Sequence, residues 1–78
     1  MLISLDRASD RSLQEQLFEQ IRQQILDGRL KGQSLVPSSR NLAQQLKISR
    51  NSVTFAYERL INEGYLVTRP MVGTYVAG

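Results

Sequence analysis

The side chains with chemistry to offer gather in two short runs. Ser49-Arg50-Asn51-Ser52, with Thr54 just beyond, combines hydrogen-bond donors and acceptors with one cation. Arginine can bond guanine through two parallel N–H groups, and asparagine can bond adenine in the same bidentate way. Ser38-Ser39-Arg40 is a similar run upstream. Neither run looks catalytic. The chain has no His and no Cys, so it lacks the usual general base near neutral pH, a thiolate nucleophile and any zinc–thiolate or disulfide site. No nucleophile–base pair, paired carboxylate or metal-ligand spacing is present, and Glu58 and Glu63 read as solvated helix charges. No enzyme is expected.

Polar runs of this kind matter only if helix starts present them. Ser12-Leu13-Gln14-Glu15 fits a capping box, in which Ser12 accepts from an orphan N–H and Glu15 reaches back. Leu13, Leu17, Phe18, Ile21, Ile25 and Leu26 follow at helical spacing, and Gly28 stands where a left-handed residue closes a helix. A helix is predicted over about 13–27, preceded by an irregular segment with Leu2, Ile3 and Leu5 as anchors. Ser34-Leu35-Val36 fits a very short strand, and Pro37 ends it and prepares a helix start. Ser38 or Ser39 then caps a short helix over about 39–46, with Leu42, Ala43 and Leu46 inward. After a tight turn at Lys47-Ile48, Ser49 caps a third helix over about 50–63, with Val53, Ala56, Tyr57, Leu60 and Ile61 inward and Gly64 at its end. Tyr65 to Thr68 and Thr74 to Val76 are rich in β-branched and aromatic residues around a Pro- and Gly-bearing turn, which predicts a hairpin over about 65–77.

The expected fold is mainly α with a small β-hairpin: a winged helix-turn-helix filling residues 1–78 as one domain. A turn of about 100° per residue from Val53 puts Asn51, Thr54, Phe55 and Glu58 on the outward side of the third helix. Arg50 and Ser52 lie in its first turn, at an end that already favours anions. Phe55 is expected to pack on the wing or touch a thymine methyl.

Size and charge agree with a small binding domain. At 78 residues, 41% hydrophobic and 22% charged, the chain is globular. The net charge is +3, unevenly placed. Residues 1–28 carry three arginines against five acids, and residues 29–78 carry seven basic residues against two acids. A one-sided basic surface suits a polyanion, because each neutralised phosphate releases counterions; a merely solubilising face is the other reading of the charge alone. No apolar run could span a membrane, and the N-terminus lacks the basic and apolar regions of a signal peptide, so a cytoplasmic location is expected.

From Leu35-Val36-Pro37-Ser38-Ser39-Arg40 through Ser49-Arg50-Asn51-Ser52-Val53, and on through Ala56-Tyr57-Glu58-Arg59-Leu60 and Glu63-Gly64-Tyr65-Leu66, the sequence resembles GntR-type bacterial transcription regulators. Leu5-Asp6-Arg7, Gln16 to Arg22 and Ile25-Leu26-Asp27-Gly28-Arg29-Leu30 are similar to the MocR branch. The resemblance implies double-stranded DNA as partner. The implied DNA-binding set is Ser38, Ser39, Arg40, Lys47, Ser49, Arg50, Asn51, Ser52, Thr54, Arg69, Gly73 and Thr74. Arg40 would hold phosphate or reach a base edge. Arg50, Asn51 and Ser52 would work from the recognition helix, and the wing around Gly73 and Thr74 would follow the minor groove or backbone. Tyr57 is assigned to the core by its helical position.

The resemblance further implies an excised DNA-binding domain. It places pyridoxal phosphate in an aminotransferase-like domain outside this chain, with no cofactor residue here, and places most of the homodimer contacts in that domain too. Some positions depart from the family. Lys47 stands where Gly is usual and would add a phosphate contact; Thr54 replaces a groove-facing Arg; Met71 and Val72 replace small residues at the wing tip. Phe55, Met71 and Val72 fit the alternative reading, a winged helix for protein or RNA contact.

Overall fold

The computed structural model describes residues 1–78. Ser12 opens α1 (Leu13–Leu26), its Oγ accepting from the Glu15 N–H at 3.1 Å. The second half of the predicted capping box does not form, because Glu15 Oε2 instead accepts from Arg59 of the third helix at 2.8 Å. Asp27 caps the other end, and Gly28 follows at φ +85°, a conformation that costs glycine no steric strain.

The chain then crosses to a short connection where Leu35 forms a single antiparallel bridge with Tyr75. The expected short strand is thus one bridge long, held by Val36 N–H donating to the Thr74 carbonyl and Val76 N–H to that of Ser34. Pro37 precedes Ser38, whose Oγ accepts from the Asn41 N–H at 3.1 Å and starts α2 (Ser39–Leu46). Lys47 ends α2 in the left-handed region, φ 57° and ψ 45°. Ser49 caps α3 (Arg50–Asn62) by accepting from the Ser52 N–H at 3.2 Å. The wing is an antiparallel pair, β1 (Leu66–Arg69) and β2 (Gly73–Val76), in the register Leu66 to Val76 and Arg69 to Gly73.

One core joins all five elements. Leu17, Phe18 and Ile21 from α1 meet Leu42 and Ala43 from α2, Val53, Ala56, Tyr57 and Leu60 from α3, and Leu66 and Val76 from the wing, with Val36 beside them. Leu46, Ile48 and Ile61 pack half-buried on its rim. Two sequence expectations fail here. Leu26 is 58% exposed, because it lies about 140° around the helix from buried Ile21. Leu2 is 86% exposed, leaving Ile3 as the side chain of the N-terminal arm that packs against the core.

The inward positions of α1 also include two that polarity conceals. Gln16 and Gln24 are buried, and Gln16 satisfies its whole amide: Oε1 accepts from Asp6 N–H at 2.8 Å, and Nε2 donates to the carbonyls of Asp6 and Arg11, both at 2.9 Å. A buried amide is tolerated when its donors and acceptors are all engaged.

Candidate nucleic-acid interface

The two polar runs come together through the short turn between α2 and α3. Arg50, first residue of α3, donates from Nε to Ser39 Oγ at 3.3 Å. This bond ties the start of the third helix to the start of the second, and the Arg50 terminal nitrogens remain available. Asn51 is exposed and Thr54 half-exposed. Ser38 and Ser49 both use Oγ as cap acceptors, and Ser49 Oγ lies 3.0 Å from Ser52 Oγ. The Ser38 hydroxyl can still turn its proton outward, while the Ser49–Ser52 pair uses one proton between its oxygens and keeps one free. Arg40 is exposed and makes no bond to any neighbouring side chain.

The wing closes one side of this surface. Ser38 and Ser39 share an open cleft of about 330 Å³ with Gly73 and Thr74, floored by Tyr57. Tyr57 is 5% exposed, as its helical position predicts, and its hydroxyl donates to the Pro37 carbonyl at 2.6 Å. That bond holds the residue before Ser38 against α3, and burial pushes the phenol well above its ordinary range. On the wing, Thr68 and Thr74 place their hydroxyl oxygens 3.0 Å apart.

Two members of the predicted set flank the cleft without lining it. Lys47 lies at the far end of α2, about 12 Å along the axis from Ser39. Arg69 leans over the Tyr75 ring, 5.5 Å from its centroid, and lines a different cleft with Gln33, Leu35 and Val72. Phe55 is 57% exposed and lies outside the core cluster. Met71 is fully exposed at the wing tip with φ 66°, and Val72 is 59% exposed.

Charge separates the surface into two kinds. Arg11, Arg22, Arg29 and Arg59 each reach a carboxylate: Arg11 pairs with Glu15, Arg22 with Glu19 and Arg29 with Asp27, and Arg59 bonds Glu15 at 2.8 Å and Glu63 at 3.1 Å. Arg7, Lys31, Arg40, Lys47, Arg50 and Arg69 reach none within 4 Å. Arg7 was not among the residues expected at the site. It comes from the N-terminal arm and donates to the carbonyls of Leu46 and Lys47 at 3.1 and 3.0 Å. The sequence signal for it was its place in Leu5-Asp6-Arg7, which no helical or strand period could interpret.

Residues 13–76 match the family model described as bacterial regulatory proteins, gntR family. The chain belongs to the GntR family. A GntR-type winged helix-turn-helix domain is therefore the fold. The sequence is 42% identical over 76 residues to the probable rhizopine catabolism regulatory protein MocR of Rhizobium meliloti, covering 97% of this chain and 15% of that protein. It is similar in structure to YtrA from Sulfolobus acidocaldarius, a GntR-family transcription factor, with a TM-score of 0.87 and 33% identity over 96% of this chain and 63% of the other. It is also similar to the AraR DNA-binding domain in its crystal complex with operator ORX1, with a TM-score of 0.81 and 26% identity, covering 96% and 93% of the two chains. This GntR domain spans about 15% of the length of the MocR protein it matches.

Lys31 and Lys47 are both exposed, and neither lines a cavity.

Proposed function

We propose that this domain reads duplex DNA by sequence, with the start of α3 in the major groove and the wing at the minor groove or the adjacent backbone. The observation that carries the proposal is a conjunction. The exposed polar start of α3 lies beside the start of α2, and the cations there, Arg40 and Arg50, have no carboxylate partner. A helix about 10–12 Å across fits a major groove about 12 Å wide. Arg50 and Asn51 then meet base edges, with Thr54 one turn further along. Arg40 and Lys47 meet phosphates, and the hydroxyls of Ser38, Ser39 and one of the Ser49–Ser52 pair donate to the same backbone. Gly73, Thr74 and Arg69 act from the wing. The operator complex of the similar AraR domain supports operator DNA as the partner.

The whole protein is a transcription regulator working in the cytoplasm, without enzymatic activity in this domain. The resemblance to the MocR branch implies a ligand-sensing domain that binds pyridoxal phosphate outside this stretch, and the present domain spans only 15% of the MocR protein's length. It acts as a homodimer, because two linked copies gain effective concentration on paired half-sites.

Titration of the domain with a duplex selected from a randomised pool, against the unselected pool, tests the reading at several salt concentrations. The expected result is tighter binding to the selected duplex and a log K that falls steeply with log salt. A shallow slope with no sequence preference overturns it. That outcome favours the second reading, a protein-contact or RNA-contact module, which rests on the exposed Phe55, Met71 and Val72.

A further inference from the structure

Three glutamines spaced by four on α1 hold the N-terminal arm. Gln16 bonds the backbone of Asp6 in both directions, Gln20 does the same for Ser4 at 2.8 and 2.6 Å, and Gln24 donates to the Leu2 carbonyl. Four residues of helix advance about 6 Å and two residues of extended chain about 6.6 Å. The arm therefore runs antiparallel to α1 with every second residue over a glutamine. At its end a tight turn is pinned from both sides. Asp6 Oδ1 accepts from Ala8 N–H at 3.0 Å, and Gln16 Nε2 takes the Asp6 and Arg11 carbonyls together.

Arg7 projects from that turn to the far end of α2. Its guanidinium bonds the carbonyls of Leu46 and Lys47, at the negative end of a helix whose last turn contains no basic residue of its own. Lys47 is also the left-handed residue on which the chain turns into α3. Left-handed backbone is unfavourable for a side chain with a Cβ, so something must hold it.

We propose that the arm is a strap that sets the helix-turn-helix angle, and that Arg7 is its positioning residue. The inference rests on the DNA reading above. Arg7 acts through Lys47, whose dihedrals decide where Arg50 and Asn51 stand relative to α2.

The experiment compares the parent domain, Arg7→Ala, Lys47→Gly and the double variant. Amide hydrogen exchange is read without DNA. Binding is read well below the melting temperature, with a duplex selected by the parent and with the unselected pool. In Arg7→Ala, exchange at Ile48, whose N–H bonds the Ala43 carbonyl across the turn, should accelerate about tenfold more than at Leu60 in the core. Affinity for the selected duplex should fall about fivefold, with the pool changed less than twofold and the salt slope unaltered. In the Lys47→Gly background the loss should shrink, since glycine adopts the turn unaided. Equal acceleration at Ile48 and Leu60 with parental affinity overturns the proposal, as do additive losses in the double variant. A slope reduced by about 0.9 also overturns it, since Arg7 would then be a direct phosphate contact. A parent with no sequence preference overturns the DNA reading instead, and the contrast between Ile48 and Leu60 still decides whether Arg7 clamps the turn.

Discussion

The surface around α1 and the surface around the helix-turn-helix treat arginine in opposite ways. On the first, Arg59 bonds Glu15 and Glu63 and lies 3.8 Å from the centroid of the Phe18 ring, while Arg22 bonds Glu19 and Arg29 bonds Asp27. On the second, Arg40, Lys47 and Arg50 have no carboxylate within reach. Net charge cannot express this difference, since +3 over 78 residues is modest. What matters is where positive charge is left uncompensated. A cation already paired with a carboxylate must give up that pair before it can neutralise a phosphate and release the counterions condensed there, whereas a free one meets the phosphate directly. The α1 surface spends its charge on internal structure, and the other leaves it for a ligand.

The largest expected effect strikes both surfaces at once. Leu60 is fully buried, and Leu60→Ala should remove about 2–5 kcal/mol of stability, seen as a large fall in the denaturation midpoint and loss of DNA binding with it. Arg50→Ala should separate the two regions. It should leave the melting temperature near that of the parent while costing about 1–3 kcal/mol of binding and relaxing preference at one or two base pairs. If the variant binds every duplex as the parent does, α3 is not the recognition helix.

Tyr57 sharpens the comparison through pH. Burial holds its phenol protonated beyond its usual range, so the folded state keeps a proton that the unfolded chain releases. That stability is complete below pH about 10 and declines as pH rises further. Tyr57→Phe should cost about 1 kcal/mol at neutral pH through the lost bond to Pro37, and should flatten the fall in melting temperature between pH 10 and 11. The α1 surface has the opposite dependence. Hydrogen bonds from Arg22 and Arg29 hold Glu19 and Asp27 below the ordinary carboxylate range. Their contribution is present above that range and is lost as pH falls through the lowered values.

Arg40→Ala should weaken binding to all duplexes alike and reduce the salt slope by about 1, the signature of a lost phosphate contact. The smallest effect is expected from Glu15→Gln. Its ion pairs are exposed, so the melting temperature should change little and DNA affinity should not fall. A marked loss of affinity there would erase the distinction between the surfaces.

Much of this was readable in the sequence, for identifiable reasons. Ser12, the Ser38-Ser39 pair and Ser49 announced three helix starts, because a side-chain oxygen just before an apolar period meets an orphan N–H, and the structure makes Ser38 the cap of the second. The apolar period placed Val53, Ala56, Tyr57 and Leu60 in the core and thereby turned Asn51 and Thr54 outward. The N-terminal arm was opaque because side-chain amides hold it, and these leave no period of their own. Gln16 and Gln24 fall outside the apolar period of α1, yet they are buried against the backbone of that arm. Phe55 faces outward, as its helical phase predicts. Helical phase says which way a side chain faces, but not whether another element comes to cover it.

The central claim is that the start of α3 and the wing together form the duplex-binding surface. Amide chemical-shift mapping during titration with a selected duplex tests it most directly. The account predicts shifts concentrated at Arg40, Arg50, Asn51, Thr54, Gly73 and Thr74, with Glu19, Arg22 and Gln23 on α1 unmoved. Shifts centred on α1, with the start of α3 silent, would contradict it.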